Sequence, residues 1–172
     1  MASDSKLNIS ETIIEAYKDE DLVRSFDFDL EKIGSHVINH LPISNIEKLG
    51  KVNHYEDLIF RMKKQNLEKS GHLKENQRLV RTLEMLSSEL LKTDPEYKKI
   101  MESAEKAIDQ NKILADGTIS SDIQICINGV YGFLLLRLNG KKISSEDEKK
   151  VDQFGNVLSY LSFKHRELTE SN

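Results

Sequence analysis

Tryptophan is absent from this chain, cysteine occurs once, proline twice and glycine eight times in 172 residues. The single cysteine, Cys126, forbids an internal disulfide, so no cross-link can stand in for a packed core. With only Pro42 and Pro95, proline-rich linkers are excluded and long stretches are free to be helical. No segment alternates apolar and polar residues over a useful strand length. A membrane span needs about 20 predominantly apolar residues, and the most apolar stretch, 123–138, is interrupted by Asn128 and Arg137. The opening MASDSKLNIS has neither the apolar centre nor the cleavage pattern of a secretory signal. These absences lead to the expectation of a protein of the reducing cytoplasm without membrane association. The net charge of −4 gives no general attraction to nucleic acid, which makes it an unlikely partner. Enzyme signatures are missing too: there is no Gly-rich phosphate loop, no Cys–His pair at useful spacing, no nucleophile elbow and no Asp-rich metal motif. No cofactor is expected.

What is abundant is Leu, Ile, Glu, Lys and Ser, arranged with helical periodicity. The most telling stretch runs from Ile123 into Leu138. Ile123, Ile127, Val130, Tyr131, Leu134 and Leu138 share one helical face, and Ile125, Phe133, Leu135 and Leu136 make the other faces apolar. A helix apolar nearly all round is covered by neighbours on several sides. The spacing therefore predicts a buried central helix near 121–139, within an all-α, mostly antiparallel bundle of six or seven helices. Gly129 and Gly132 inside it each cost roughly 1 kcal/mol against alanine. With Ile125 and Leu136 they line a face that another helix backbone can approach closely, or against which a ligand can lie.

The remaining helices are expected over 10–24, 29–41, 46 or 52 to 69, 73–92, 95–114 and from Ser144 onward. Ser44 with Glu47, Asp94-Pro95, Ser121 with Gln124 and Ser144 with Asp147 supply start signals. Gly71 reads as the left-handed cap that ends the third helix. Residues 1–8 read as a polar tail, 9–168 as a single helical domain, and 169–172 as a second tail, with the polar end HRELTESN fraying. The first helix contains a conflict. Its stripe of Ile9, Ile13, Ala16 and Tyr17 continues into Glu20 and Arg24, while Leu22 and Phe26 point the other way. Either the helix bends or ends near Lys18, or Glu20 and Arg24 turn inward as a paired polar cluster.

A buried charge needs a partner, because an uncompensated one costs several kcal/mol. Arg137 lies about 40° from Ile123 on the helical wheel, inside the apolar stripe. Glu20 or Asp21 is therefore expected to pair with Arg137 or Arg24, with the Tyr131 hydroxyl nearby. His72, in a tight turn opening the fourth helix, joins this candidate cluster, either satisfying backbone groups or acting as a base. His36 and His40, spaced i, i+4, are candidate metal ligands with His54 or Asp57 as the third; they lack the intervening Glu of a metalloprotease helix. Cys126 reads as a small buried hydrophobe.

Charge is also unevenly distributed. Residues 11–31 hold eight acidic and two basic side chains, whereas 61–81 hold seven basic ones against Glu68 and Glu75. Lys74, Arg78 and Arg81 project from the solvent face of the fourth helix. They suit an anionic partner: RNA, or an acidic protein surface including a second copy of the chain.

Several segments carry a family resemblance. Asn8-Ile9, Glu20-Asp21-Leu22-Val23-Arg24, Tyr55 with Leu58-Ile59 and Met62, Gly71-His72-Leu73, and Tyr131-Gly132-Phe133-Leu134-Leu135-Leu136-Arg137-Leu138 resemble a small bacterial "domain of unknown function" family. The likeness spans about residues 8–165, and the YG-hydrophobic-LLRL element with the downstream KKIS is its most specific part. It implies an all-helical fold and no assigned activity. His54-Tyr55 stands where the family pattern has Trp-Tyr, so His54 is not carried over as a shared functional residue.

The expectation from these features is a non-catalytic helical-bundle protein that binds or scaffolds a protein partner, or another copy of itself. The surface of the third and fourth helices is the first choice of contact. Two alternatives stand beside it. One is a small-ligand or enzyme site walled by Glu20, Arg24, His72, Tyr131 and Arg137. The other is an RNA or ribosome contact through the basic face of the fourth helix.

Overall fold

The computed structural model describes residues 8–171. It is all-α: α1 (Ile9–Ser25), α2 (Leu30–His36), a 3-10 turn (Ile38–His40), α3 (Asn45–Lys64), α4 (Lys74–Thr93), α5 (Pro95–Leu114), α6 (Asp122–Leu138) and α7 (Ser145–Glu170). No strand occurs among the described residues, and no helix among them is long and apolar enough to cross a membrane. Of the tail expected over 1–8, only Asn8 falls within the described residues, and Asn172 of the second tail falls outside them.

The starts follow the capping signals. Asn8 and Glu11 open α1 with reciprocal bonds, Glu11 N–H to Asn8 Oδ1 and Asn8 N–H to Glu11 Oε2, a capping box with asparagine in the place of serine or threonine. Ser44 and Glu47 form the expected box on α3, and Asp94, Ser121 and Ser144 cap α5, α6 and α7.

The ends depart more from expectation. The helix expected over 29–41 breaks at Val37 into α2 and the 3-10 turn. An unbroken helix would turn Ile38 about 140° away from Ile33, yet both are fully buried, so burial of Ile38 dictates the tighter turn. Gly71 does not end α3. Asn66 does, at φ +56, with Leu67 N–H bonded to Met62 O at 3.0 Å; asparagine tolerates the left-handed region without glycine's help. Gly71 takes φ +91 in the connection that follows. The polar end of α7 stays helical to Glu170, because Arg166, Glu167 and Leu168 are good helix formers and nothing breaks the run.

The chain divides into two units, Met1–Ile14 with Arg78–Asn172 and Glu15–Gln77, cut within α1 and within α4. In the first, α5, α6 and α7 pack on one another around Tyr97, Ile108, Ile123, Ile127, Phe154 and Leu161. Ser10 and Ser162 share a buried hydroxyl contact at 2.7 Å, as do Ser87 and Tyr97. Cys126 is fully buried here, and burial with the nearby Asp122 charge pushes its thiol up to about 12. It is a small core residue and not a nucleophile.

The expected all-round burial of α6 holds only for its first part. Ile123, Ile125, Cys126, Ile127 and Tyr131 are buried, while Leu136 and Leu138 are 41% and 66% exposed. The apolar run continues past the cover its neighbours give it. The two glycines differ as well. A Cβ on Gly129 would lie 2.4 Å from Phe154 Cδ2, whereas one on Gly132 would meet nothing within 4 Å. The close approach at Gly129 is by an aromatic ring of α7, not by a helix backbone.

In the second unit, α2, the 3-10 turn and α3 pack together. Its own core comprises Val23, Ile33, Ile38, Tyr55, Leu58, Met62 and Leu73. This core fixes the end of α1, the start of α4 and the α3–α4 connection, which hold the polar cluster.

Candidate functional site

α1 runs unbroken through Lys18 to Ser25, so the conflict in its stripe resolves inward. Tyr17, Glu20 and Arg24, spaced i, i+3, i+7, share one face, and all three engage the segment 67–77. Glu20 is fully buried. Its Oε1 accepts from Leu73 N–H at 3.0 Å and from Asn76 Nδ2 at 2.7 Å, and its Oε2 lies 2.5 Å from His72 Nδ1. An ionised carboxylate only accepts, so the imidazole donates from Nδ1. The ring of Tyr17 stacks on His72 at 3.5 Å, 8° from parallel.

Arg24 clasps the same connection one turn further on. Nε donates to Leu67 O at 3.1 Å, a terminal nitrogen donates to Gly71 O, and the other pairs with Asp21 at 2.8 Å. The α3–α4 connection is thus gripped by carbonyl acceptors at one end and amide donors at the other. α4 carries leucine, not a capping residue, immediately before its first turn. Its leading N–H groups are capped from a distance, Leu73 by Glu20 and Lys74 by Gln65 Oε1 at 2.9 Å. A carboxylate there also faces the positive end of the helix dipole.

Asp19 makes a second histidine–carboxylate pair, toward α3. Its Oδ2 lies 2.8 Å from His54 Nε2, and its Oδ1 accepts from Tyr55 OH at 2.9 Å. Burial pushes the Asp19 carboxyl up, but the His54 and Tyr55 bonds and the charges of His54 and Lys51 outweigh it and hold the group below the usual range. Burial, then Asp19 itself, pushes the Tyr55 phenol up. A carboxyl depressed in the folded state adds stability above its unfolded value, about 4, and loses that contribution as pH falls through the folded value. Urea unfolding at pH 7 and pH 3 should therefore show a smaller acid loss for Asp19→Asn than for the parent. An equal loss would mean that Asp19 contributes nothing to the acid limb.

A family model described as a domain of unknown function, DUF4924, matches residues 2–172. The chain belongs to the DUF4924 family. No curated protein and no solved structure matches this DUF4924 chain.

That geometry corrects the proposed cluster. Glu20, Arg24 and His72 come together as expected, and Asp21 pairs with Arg24 as expected, but Glu20 bonds His72 rather than an arginine. Tyr131 and Arg137 belong to the first unit. Tyr131 is buried on α6. Arg137 is exposed, its guanidinium 5.7 Å from the Phe133 ring centre, and among the described residues no carboxylate lies within ion-pair distance of it. On the uncovered last turn of α6 it is solvated and favourable to the helix dipole, so no inward neutralisation is needed. His36 and His40 are both exposed, and α2 ends between them, which removes the i, i+4 relation behind the metal idea. His36 Nδ1 instead contacts Lys32 O at 3.0 Å. Lys74, Arg78 and Arg81 are exposed on α4, as expected. Asp19 and Asn76 carry no signal that singles them out in the DUF4924 sequence; only the spacing of Tyr17, Glu20 and Arg24 hints at a working face.

Proposed function

We propose that this chain is a cytoplasmic, non-catalytic binding or scaffolding protein that meets its partner through α3. The observation carrying this reading is on the outer side of α3, where Ile46, Leu49 and Phe60 are 84%, 61% and 65% exposed. The three share one helical face: Ile46 and Leu49 adjoin one turn apart, and Phe60 lies about 16 Å further along, beyond the exposed Asn53 and Glu56. The inward polar cluster supports the same reading from the other direction. Both oxygens of Glu20 and three donors of Arg24 are taken by the chain itself, which leaves the cluster occupied in holding the α3–α4 connection. The test is crosslinking in native cells with the full chain and with an I46S/L49S/F60S variant. A partner held by the parent and lost from the variant supports the reading; no partner, or one held equally by both, overturns it.

A second reading rests on one group. His72 is 25% exposed at its side chain, and among the described residues its Nε2 has no hydrogen-bond partner. A ligand that shares a hydrogen bond with Nε2 is the form in which a small-molecule site would survive here. It would be seen as a shift of the His72 imidazole resonances on adding a metabolite extract.

A further inference from the structure

We infer that the chain pairs with a second copy of itself, the outer face of α4 in one copy seating in a cleft along α5 of the other. This extends the binding reading above to a named partner and a different surface. The cleft lies within the first unit and has a volume of about 250 Å3. That is below the roughly 300–1,000 Å3 of a metabolite-sized site and suits a protruding side chain better. Leu91, Met101 and Ile108 contribute the apolar part of its lining, and Glu102, Glu105 and Asp109 the acidic part. Lys98 and Asp122 complete the wall, and Asp122 is already paired with Lys112. The three remaining carboxylates are exposed and, among the described residues, have no ion-pair partner. Set against Lys98, they leave an excess of negative charge on one face of a helix, where like charges repel.

The complement is on α4. Arg78, Arg81 and Met85 are all exposed, Met85 by 72%, and neither arginine has an ion-pair partner among the described residues. Their spacing is i, i+3, i+7, which places them on one face across about 10 Å. Glu102, Glu105 and Asp109 repeat that spacing on α5. Laid along each other in either direction, the two faces put both guanidinium groups in register with carboxylates and Met85 beside the third carboxylate, next to Met101 or Ile108 of the apolar lining. Methionine fills such irregular space readily. Because every copy carries both the face and the cleft, a two-fold arrangement fills both clefts at once and closes the assembly. An RNA would use the basic face of α4 and leave the acidic cleft without an occupant.

The test is sedimentation of the full chain at low and at high salt, with R81E, E105R and an equimolar mixture of the two variants. Circular dichroism melts would establish that each variant folds, as expected for exposed side chains. The parent should dimerise at low salt and dissociate as salt rises. Each variant alone should associate at least tenfold more weakly, since it opposes like charges. The mixture should recover the dimer, because the carboxylate introduced on α4 of one variant then meets the guanidinium introduced on α5 of the other, while the second contact keeps its parental pairing. A parent that stays monomeric at low salt overturns the pairing and leaves the α3 partner to its own test. So does weakening by R81E without weakening by E105R, which would instead mean that Arg81 meets a part of the second copy other than the α5 cleft. Failure of the mixture to recover the dimer overturns it as well.

Discussion

Glu20→Leu should lower the unfolding free energy by about 3–5 kcal/mol, the range for removing one partner from a buried charged contact. The loss has three parts in this structure. Leu73 N–H, the Asn76 amide and His72 Nδ1–H all lose their acceptor, and each unsatisfied buried donor costs about 1–3 kcal/mol. His72 recovers some of its share because its side chain is 25% exposed and water can reach it. For a chain of this length, about 2–4 °C of melting temperature goes with each kcal/mol, so the midpoint should fall by about 6–20 °C. Glu20→Gln should be milder, about 1–2 kcal/mol. Its carbonyl can still accept from Leu73 and Asn76, and its amide can donate to His72 once the imidazole proton moves to Nε2. Amide exchange at Leu73 and Lys74 should quicken in the leucine variant ahead of exchange in the α3 core. If Glu20→Leu melts within about 2 °C of the parent, less than the shift that a single kcal/mol brings, the clasp on the α3–α4 connection has no energetic role.

The reason Glu20 was legible, and its partners were not, is a matter of reach. Helical periodicity states a direction: it put Glu20 and Arg24 on the face of Ile9 and Ile13, and the structure sends both inward. What they meet lies 43 to 56 residues further along the chain, and no local pattern carries that information. The same limit explains the failure at Arg137. Its angle on the wheel matches Ile123, but an angle does not say whether a neighbour extends far enough to cover the residue, and the end of α6 is uncovered. Starts of helices were readable because a capping side chain and the amide it serves are neighbours in sequence, as at Ser44 with Glu47. Ends were less so. The break at Val37 follows from where Ile38 must go, and Asn66 ends α3 through a backbone conformation that asparagine permits but does not announce. α4 had no local start signal at all because its caps come from Glu20 and Gln65.

Gly129 and Gly132 should respond in opposite directions to the same substitution. Both sit inside α6, where alanine is favoured over glycine by about 1 kcal/mol on conformational grounds alone. At Gly132 nothing lies within 4 Å of the added methyl, so Gly132→Ala should raise stability by about 0.5–1 kcal/mol. At Gly129 the methyl would lie 2.4 and 2.6 Å from two carbons of the Phe154 ring. That ring is 2% exposed and cannot swing into solvent without emptying the core. Forcing an extra methyl into a filled core costs about 1–3 kcal/mol, so Gly129→Ala should come out destabilised despite its better helix propensity, with larger residues worse. The helix preference is common to both sites, so the two variants should differ by the cost of the clash, about 1–3 kcal/mol, in urea unfolding. Phe154→Leu separates the clash from other causes. Alone it shrinks a core side chain and should destabilise, but in the Gly129→Ala background it makes room for the methyl, so the paired change should be less harmful than the sum by about 1 kcal/mol or more. Simple additivity, or a stable Gly129→Ala protein, would mean that Phe154 does not lie on the bare backbone of α6.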